Sequence, residues 1–377
     1  MKKFLDCISV VGSTPSRFQG TKKYVSTGAV ATTEIDESEV VEVSYEDRPS
    51  RANLTAEAGD ILFAKMQGTR KTLLLDSETE ENIYSTGFYA VRANPEIITT
   101  ECLYYLVDSE LFLAQKDKNC SGATQKAITN GGLAKIEIRI PPLSEQAALT
   151  EKLRYLTQLI ADRKKQLELF DEVIKSRFIE MFGDCKESRK LEDYAVLITK
   201  GASPKWQGFD YCDEGVLFVT SENVREGFLD LSKRKYLPQG INDILPRSVL
   251  KKNDILINIV NASIGRAAIY DSDELANINQ AVALVRLKPD VLNLSFLLTY
   301  LNSDEACASY DFMKVGGDKA NLSLKNISDL KIPVASMERQ LEFESFKKQT
   351  DKSKFEIQKS LEKLETLKKA LMQKYFG

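Results

Sequence analysis

The chain has 377 residues, 43% hydrophobic and 28% charged, so it can bury cores of its own and is not disordered as a whole. It has no histidine, which excludes serine and cysteine triads, His-ligated zinc and His proton shuttles. The net charge is −3, so any face that binds nucleic acid must be a local patch and not a bulk property.

The start, Met1-Lys2-Lys3-Phe4-Leu5-Asp6, reaches an acid too soon for a signal peptide, and no apolar run approaches the length of a membrane span. Cys7, Cys102, Cys120, Cys185, Cys212 and Cys307 form no C-x-x-C pair. Sparse, unclustered cysteines without histidine fit a reduced, cytoplasmic chain better than a disulfide scaffold or a zinc site. Short β-rich runs follow at Ile61-Leu62-Phe63-Ala64, Phe88-Tyr89-Ala90-Val91 and Ile136 to Ile140, with a helical stretch over 100–115. Pro141-Pro142 then closes the first globular segment.

A long helix is predicted next, over 144–182. Leu149, Leu153, Leu156, Ile160, Leu167, Phe170, Ile174, Phe178 and Met181 recur at steps dominated by three and four, as one buried stripe requires. Ser144-Glu145-Gln146 fits its start and Gly183 its stop. Beyond it, β-rich runs return at Val216 to Val219, Ile255 to Val260 and Ala281 to Val285, and a helical stretch at 294–310. A second long helix is predicted over 336–376, carrying Phe343, Phe346, Ile357, Leu361, Leu364, Leu367, Leu371 and Tyr375, with no large apolar residue from Gln349 to Lys354. Helices of about 39 residues would be about 58 Å long, more than one globular domain needs, and each other's stripe is the obvious partner. Phe182-Gly183 leads straight into another globular segment, so an antiparallel coiled coil is expected.

The order of elements reflects an internal repeat. Gly59-Asp60-Ile61-Leu62 returns as Asn253-Asp254-Ile255-Leu256, Ala90-Val91-Arg92 as Leu284-Val285-Arg286, and Asp108-Ser109-Glu110 as Asn302-Ser303-Asp304. Glu145-Gln146 returns as Arg339-Gln340 and Phe182-Gly183 as Phe376-Gly377, every pair 194 residues apart. Gly12-Ser13-Thr14-Pro15 returns as Gly201-Ala202-Ser203-Pro204 after 189. A period this long repeats whole domains and not solenoid units. The expected fold is therefore α+β, with a pseudo-twofold repeat of globular segments 1–142 and 185–335 and helical spacers 143–184 and 336–377.

Catalytic motifs do not emerge. There is no Gly-rich phosphate loop ending in Gly-Lys-Ser/Thr, and Pro141-Pro142 is followed by Leu143, not by the aromatic that an adenine methyltransferase motif needs. Asp290, Asp329 and Lys331 make only a loose carboxylate–lysine scatter, better explained as solvated surface. No enzyme activity, cofactor or metal is expected.

Several loops instead combine glycine with amide, hydroxyl and cationic side chains. Lys65, Gln67, Thr69, Arg70 and Lys71 follow a strand, and Asn261, Ser263 and Arg266 are their counterparts. A later loop carries Gln125 and Lys126, matched by Lys319 and Asn321. Arg17 beside Phe18, and Lys205 beside Trp206, add a cation next to an aromatic. Arg and Lys reach phosphates or guanine, and Gln and Asn pair with adenine edges. Any one of these is also an ordinary polar turn residue. Their recurrence in both copies, with different side chains, favours two similar frames reading two targets.

Pro141-Pro142-Leu143-Ser144-Glu145-Gln146, the helix after it, and Ser176-Arg177-Phe178-Ile179-Glu180-Met181-Phe182-Gly183-Asp184 resemble the first conserved helical region of the specificity (S) subunit of type I restriction-modification enzymes. Asn321-Leu322-Ser323, Lys331-Ile332-Pro333 and Arg339-Gln340 are similar to the run into the second. The likeness covers essentially the whole chain. It departs at Pro333-Val334-Ala335-Ser336-Met337-Glu338-Arg339-Gln340, where the usual Pro-Leu-x-x-Gln form is stretched. The resemblance implies two target-recognition domains reading the halves of a split double-stranded DNA site, and a coiled coil that fixes the gap. It further implies two docked methyltransferase subunits, restriction and translocase subunits able to join, no membrane, and no active site in the chain itself. A coiled-coil scaffold without DNA sequence preference is the first rival reading, and an enzyme with an unrecognised active site the second.

Overall fold

The structure is a computed structural model describing residues 1–313 and 320–377. It divides into two units, one of Met1–Lys165 with Gln358–Gly377, the other of Gln166–Ile357.

In the first unit the strands are β1 (Lys2–Lys3), β2 (Ile8–Val11), β3 (Thr21–Val25), β4 (Val41–Ser44), β5 (Ala52–Leu54), β6 (Ile61–Ala64), β7 (Thr72–Leu74), β8 (Ile83–Ser85), β9 (Phe88–Ala93) and β10 (Glu137–Ile138). They form sheets ordered β2-β9-β6-β7 and β4-β3-β8-β5, with β1 pairing β10. Four residues in a row, Ile61, Leu62, Phe63 and Ala64, are buried because β6 is covered on both faces. Ile61 and Phe63 face a core with helices α1 (Thr100–Val107) and α2 (Glu110–Lys118), while Leu62 and Ala64 face the second sheet through Val25 and Tyr84. A short α3 (Asn130–Leu133) precedes β10, and α4 (Leu143–Phe182) follows it.

The second unit repeats this plan. After β11 (Ser188–Lys190) and α5 (Leu191–Tyr194) come β12 (Ala195–Lys200), β13 (Val216–Val219), β14 (Tyr236–Leu237), α6 (Ile241–Ile244), β15 (Asp254–Asn258), β16 (Ala267–Tyr270), β17 (Ala276–Ile278) and β18 (Val282–Leu287). Then follow α7 (Leu294–Leu301), α8 (Asp304–Met313), α9 (Leu324–Asp329), β19 (Lys331–Pro333) and α10 (Met337–Phe376). The sheets run β12-β18-β15-β16 and β14-β13-β17, with β11 pairing β19. The registers Ile61↔Val91 and Ile255↔Val285 are the same pairing 194 residues apart.

The helical stretches expected over 100–115 and 294–310 are each two helices. Thr99 caps α1 by accepting from the Cys102 N–H at 3.3 Å, and Ser109 caps α2 by accepting from Phe112 at 3.1 Å. Asn293 and Ser303 accept equivalently from Phe296 and Ala306, at 3.1 and 3.3 Å. Each break therefore falls on a side chain that satisfies the free amides of a new first turn.

Two buried devices recur in register. Asp60 receives Arg92 through Nε and Nη2 at 2.6 and 3.0 Å, and Asp254 receives Arg286 at 2.7 and 2.6 Å. Asp60 also accepts from the Glu57 amide at 2.9 Å and Asp254 from the Lys251 amide at 2.7 Å, which ties each turn to the central sheet. Gln146, at the start of α4, accepts from the Thr99 N–H at 2.8 Å and donates to the Ile97 and Pro141 carbonyls at 3.0 Å. Gln340 of α10 repeats two of these three bonds, accepting from the Asn293 N–H at 2.9 Å and donating to the Ala335 carbonyl at 2.9 Å.

Both long helices have 40 residues. In the first unit Leu149 and Leu153 of α4 share a core with Met372 and Phe376 of α10, and Lys164 pairs with Glu365 at 3.5 Å. In the second, Phe178 and Phe182 pack on Phe343 with ring centroids 5.2 and 5.7 Å apart, and Arg177 pairs with Glu342 at 2.9 Å. Rising positions on α4 meet falling positions on α10 in each unit, so the helices run antiparallel there. The stretch 349–354 of α10 lacks large apolar side chains, yet it is continuous helix supported by Lys347–Asp351 and by Lys354 to Asp171. Among the described residues no helix is long and apolar enough to cross a membrane.

Candidate nucleic-acid interface

In each unit, two loops far apart in sequence are stitched together at the end of the central strand. In the first, the Gln67 amide donates to the Lys126 carbonyl and the Ile128 amide to the Lys65 carbonyl, both at 2.9 Å, and Met66 bridges to Ala127. In the second, the Asn261 amide donates to the Ala320 carbonyl and the Leu322 amide to the Ile259 carbonyl, both at 2.9 Å, and Val260 bridges to Asn321. All three contacts recur 194 residues on. The structure thus unites Lys65, Gln67, Gln125 and Lys126 in one loop pair, and Asn261, Ser263, Arg266 and Asn321 in the other. Lys319 lies outside the described residues.

The tip of the first pair needs glycine at Gly122, where φ is 137° and a Cβ would fall 2.4 Å from the Gln125 carbonyl. Ser121 and Ala127 close the turn with reciprocal backbone bonds at 2.9 and 3.0 Å, so Gln125 and Lys126 stand exposed on a tight hairpin. Neither side chain has a hydrogen-bond or ion-pair partner among the described residues. Gln67 is also exposed, and among the described residues its side chain donates only a long bond, 3.3 Å, to the Asp117 carbonyl.

The remaining cations of that loop are already engaged by the protein. Lys65 is half-buried, donating to the Thr86 carbonyl at 2.8 Å with its ammonium 4.6 Å above the Tyr89 ring, and burial pushes its pKa down. Thr69 is half-buried and its carbonyl is an acceptor. Arg70 forms a two-pronged bond with Asp108 at 2.9 and 2.7 Å, which holds the guanidinium pKa up. The Lys71 ammonium donates to the Thr27 carbonyl.

In the second pair Asn261 adopts a left-handed conformation, φ 58°, that turns the chain out of β15. Ser263 donates back to the Val260 carbonyl at 3.3 Å. Arg266 and Asn321 are exposed, and Arg266 has no ion pair among the described residues.

Arg17, Lys205 and Trp206 lie on separate loops, between β2 and β3 and between β12 and β13. At the 189-residue offset Arg17 and Trp206 are the same position. Arg17 pairs with Glu46 at 3.0 Å with both side chains well exposed, a contact of little strength that leaves the guanidinium available. Trp206 is 86% exposed on a turn fixed by the Gln207 and Phe209 amides donating to the Pro204 carbonyl at 2.9 and 3.0 Å. Asp329 is held by Lys190 at 2.6 Å and Lys325 at 2.9 Å, and these ammoniums keep its carboxyl below the usual range.

The sequence did not single out Lys116, which is buried on α2 and bonded to the backbone of the first loop. Its signal was weak, since position 310, its equivalent, is tyrosine.

Residues 12–169 and 187–369 each match the family described as type I restriction modification DNA specificity domain. The chain is 25% identical over 299 residues to the EcoBI specificity subunit of Escherichia coli, covering 70% of this chain and 63% of that one. It is 23% identical over 256 residues to the MjaVIII specificity subunit of Methanocaldococcus jannaschii, covering 63% and 60%. The matched region therefore spans less than two thirds of either relative. A chain from a solved structure concerned with complex assembly and conformational transition of the type I R-M system superposes with a TM-score of 0.63, at 21% identity, over 98% of this chain and 95% of that one, which shows a shared fold. With both halves matched, the chain belongs to the family of type I restriction modification DNA specificity domains.

Proposed function

We propose that this chain is the specificity subunit of a type I restriction-modification complex. It reads a bipartite double-stranded DNA site, one half with each copy of the loop pair, and has no catalytic role of its own. The observation that carries this reading is the same stitched loop pair in both units, in register, presenting Gln67, Gln125 and Lys126 in one and Asn261, Arg266 and Asn321 in the other. Equal frames with unequal tips suit two half-sites of different sequence. Residues 1–142 and 185–335 serve as target-recognition domains, and 143–184 and 336–377 as the spacer on which two methyltransferase subunits, and restriction subunits where present, assemble in the cytoplasm. Membership of the family and the likeness to two specificity subunits support the reading.

The test is to express the chain with its methyltransferase partner and map methylated bases genome-wide. A split motif with a fixed unread gap is expected. A stable complex that marks no motif would instead favour a scaffold without sequence preference.

A further inference from the structure

Lys116 is 0% exposed. Its ammonium donates to the carbonyls of Thr69 at 2.8 Å, Met66 at 2.9 Å and Ala64 at 3.3 Å, and lies 3.4 Å from the Asp117 carboxylate. Three acceptors match the three N–H donors of an ammonium. Those carbonyls belong to the end of β6 and to the loop carrying Gln67, and Met66 is the residue bridged to Ala127. One side chain therefore gathers the whole first strand-end loop from beneath, and through Met66 and Gln67 it also sets the hairpin bearing Gln125 and Lys126.

A buried ammonium is a costly way to fill space, and the second unit shows that the fold does not demand one. There the equivalent position is Tyr310, equally buried, its hydroxyl donating to the Leu301 carbonyl at 3.3 Å. Its ring lies so near Gly265 that a Cβ would fall 2.5 Å from it, so glycine is required opposite. The two units solve the same packing problem differently, one by a charged clasp on loop carbonyls, the other by an aromatic ring against a glycine.

The geometry points to Lys116 as a positioning residue for DNA reading by the first unit. It holds the backbone of 64–69 so that Gln67, Gln125 and Lys126 present a fixed pattern, without touching DNA itself. This rests on the bipartite reading above.

The experiment uses the full chain assembled with its methyltransferase partner and a DNA library randomised over both half-sites, with methylation as the readout. Lys116→Met removes the donors and keeps an unbranched apolar stem one atom shorter; Lys116→Gln keeps two N–H donors and serves as the partial rescue should the Met variant fail to fold. Arg266→Ala marks the half-site read by the second unit. The expected result for Lys116→Met is a loss of base discrimination of about tenfold in the half-site that Arg266→Ala leaves intact, with the other half-site unchanged. Lys116→Gln should fall between. If the unmodified complex marks no split motif, the bipartite reading itself fails. If it marks one, and the Lys116 variants keep the same preferences at lower melting temperature or lose both halves equally, the residue is only structural and the positioning role is overturned.

Discussion

At the scale of single residues, position in the ladder of partners separates structural cations from available ones. Arg286 closes a pair whose carboxylate, Asp254, is only 1% exposed, so Arg286→Met strands a buried charge and should destabilise the chain by about 3 kcal/mol. Arg92→Met should cost less, because that guanidinium is nearly half exposed. Urea unfolding of both variants checks the order, and equal losses would contradict it. Lys126 has no partner to lose among the described residues. Lys126→Ala should leave unfolding unchanged but weaken DNA binding by the assembled complex and lower the slope of log K against log salt by about one. Arg70→Ala should do the reverse, lowering the melting temperature while leaving that slope alone, because Asp108 already holds the guanidinium. A salt slope that dropped for Arg70→Ala and not for Lys126→Ala would mean the exposed tip is not the DNA contact.

At the scale of elements, the repeat located the fastening points before the structure explained them. Gln146 and Gln340 stood out as partners 194 residues apart, and each joins a long helix to the N-terminus of a domain helix. Gln146→Ala would leave the Thr99 amide and two carbonyls without partners, a loss of about 2–4 kcal/mol. Hydrogen exchange at the Thr99 amide should accelerate at the same time; an unchanged rate would mean that the helix is held by apolar contact alone. The long helices were legible because proline is absent and the apolar period is sustained, and α4 and α10 begin within one residue of the expected starts. The strands β6 and β13 were legible as short apolar runs, since burial on both faces removes alternation. The breaks at Ser109 and Ser303 were missed because apolar residues continue past them; only the caps mark the new turn. The stitching of Gln67 to Lys126 is a backbone contact across 59 positions, and no side-chain pattern encodes it. Which loop cations are already engaged was equally hidden, because Thr27, Thr86 and Asp108 become partners only after folding.

At the scale of the whole molecule, the physical units do not coincide with contiguous sequence halves. Gln166–Ile357 is continuous and contains both helix segments that cover its core, with Phe178, Phe182 and Phe343 inside it. Met1–Lys165 depends on Gln358–Gly377, which returns to bury Met372 and Phe376 against Leu149 and Leu153. Fragment 166–357 should therefore fold alone in one cooperative urea transition. Fragment 1–165 should be weaker than the same fragment joined to 358–377 by about 3–6 kcal/mol, the value of burying one methionine and one phenylalanine. Supplying 358–377 as a separate peptide should restore part of that loss, in proportion to its concentration. A 1–165 fragment as stable without the peptide as with it would show that the last helical turns ornament the first unit and do not complete it. The asymmetry follows from the repeat itself. Each copy ends in a helix, and an antiparallel pair hands each unit the end of one helix and the beginning of the other. The copy that begins the chain must then wait for the last residues to close its core.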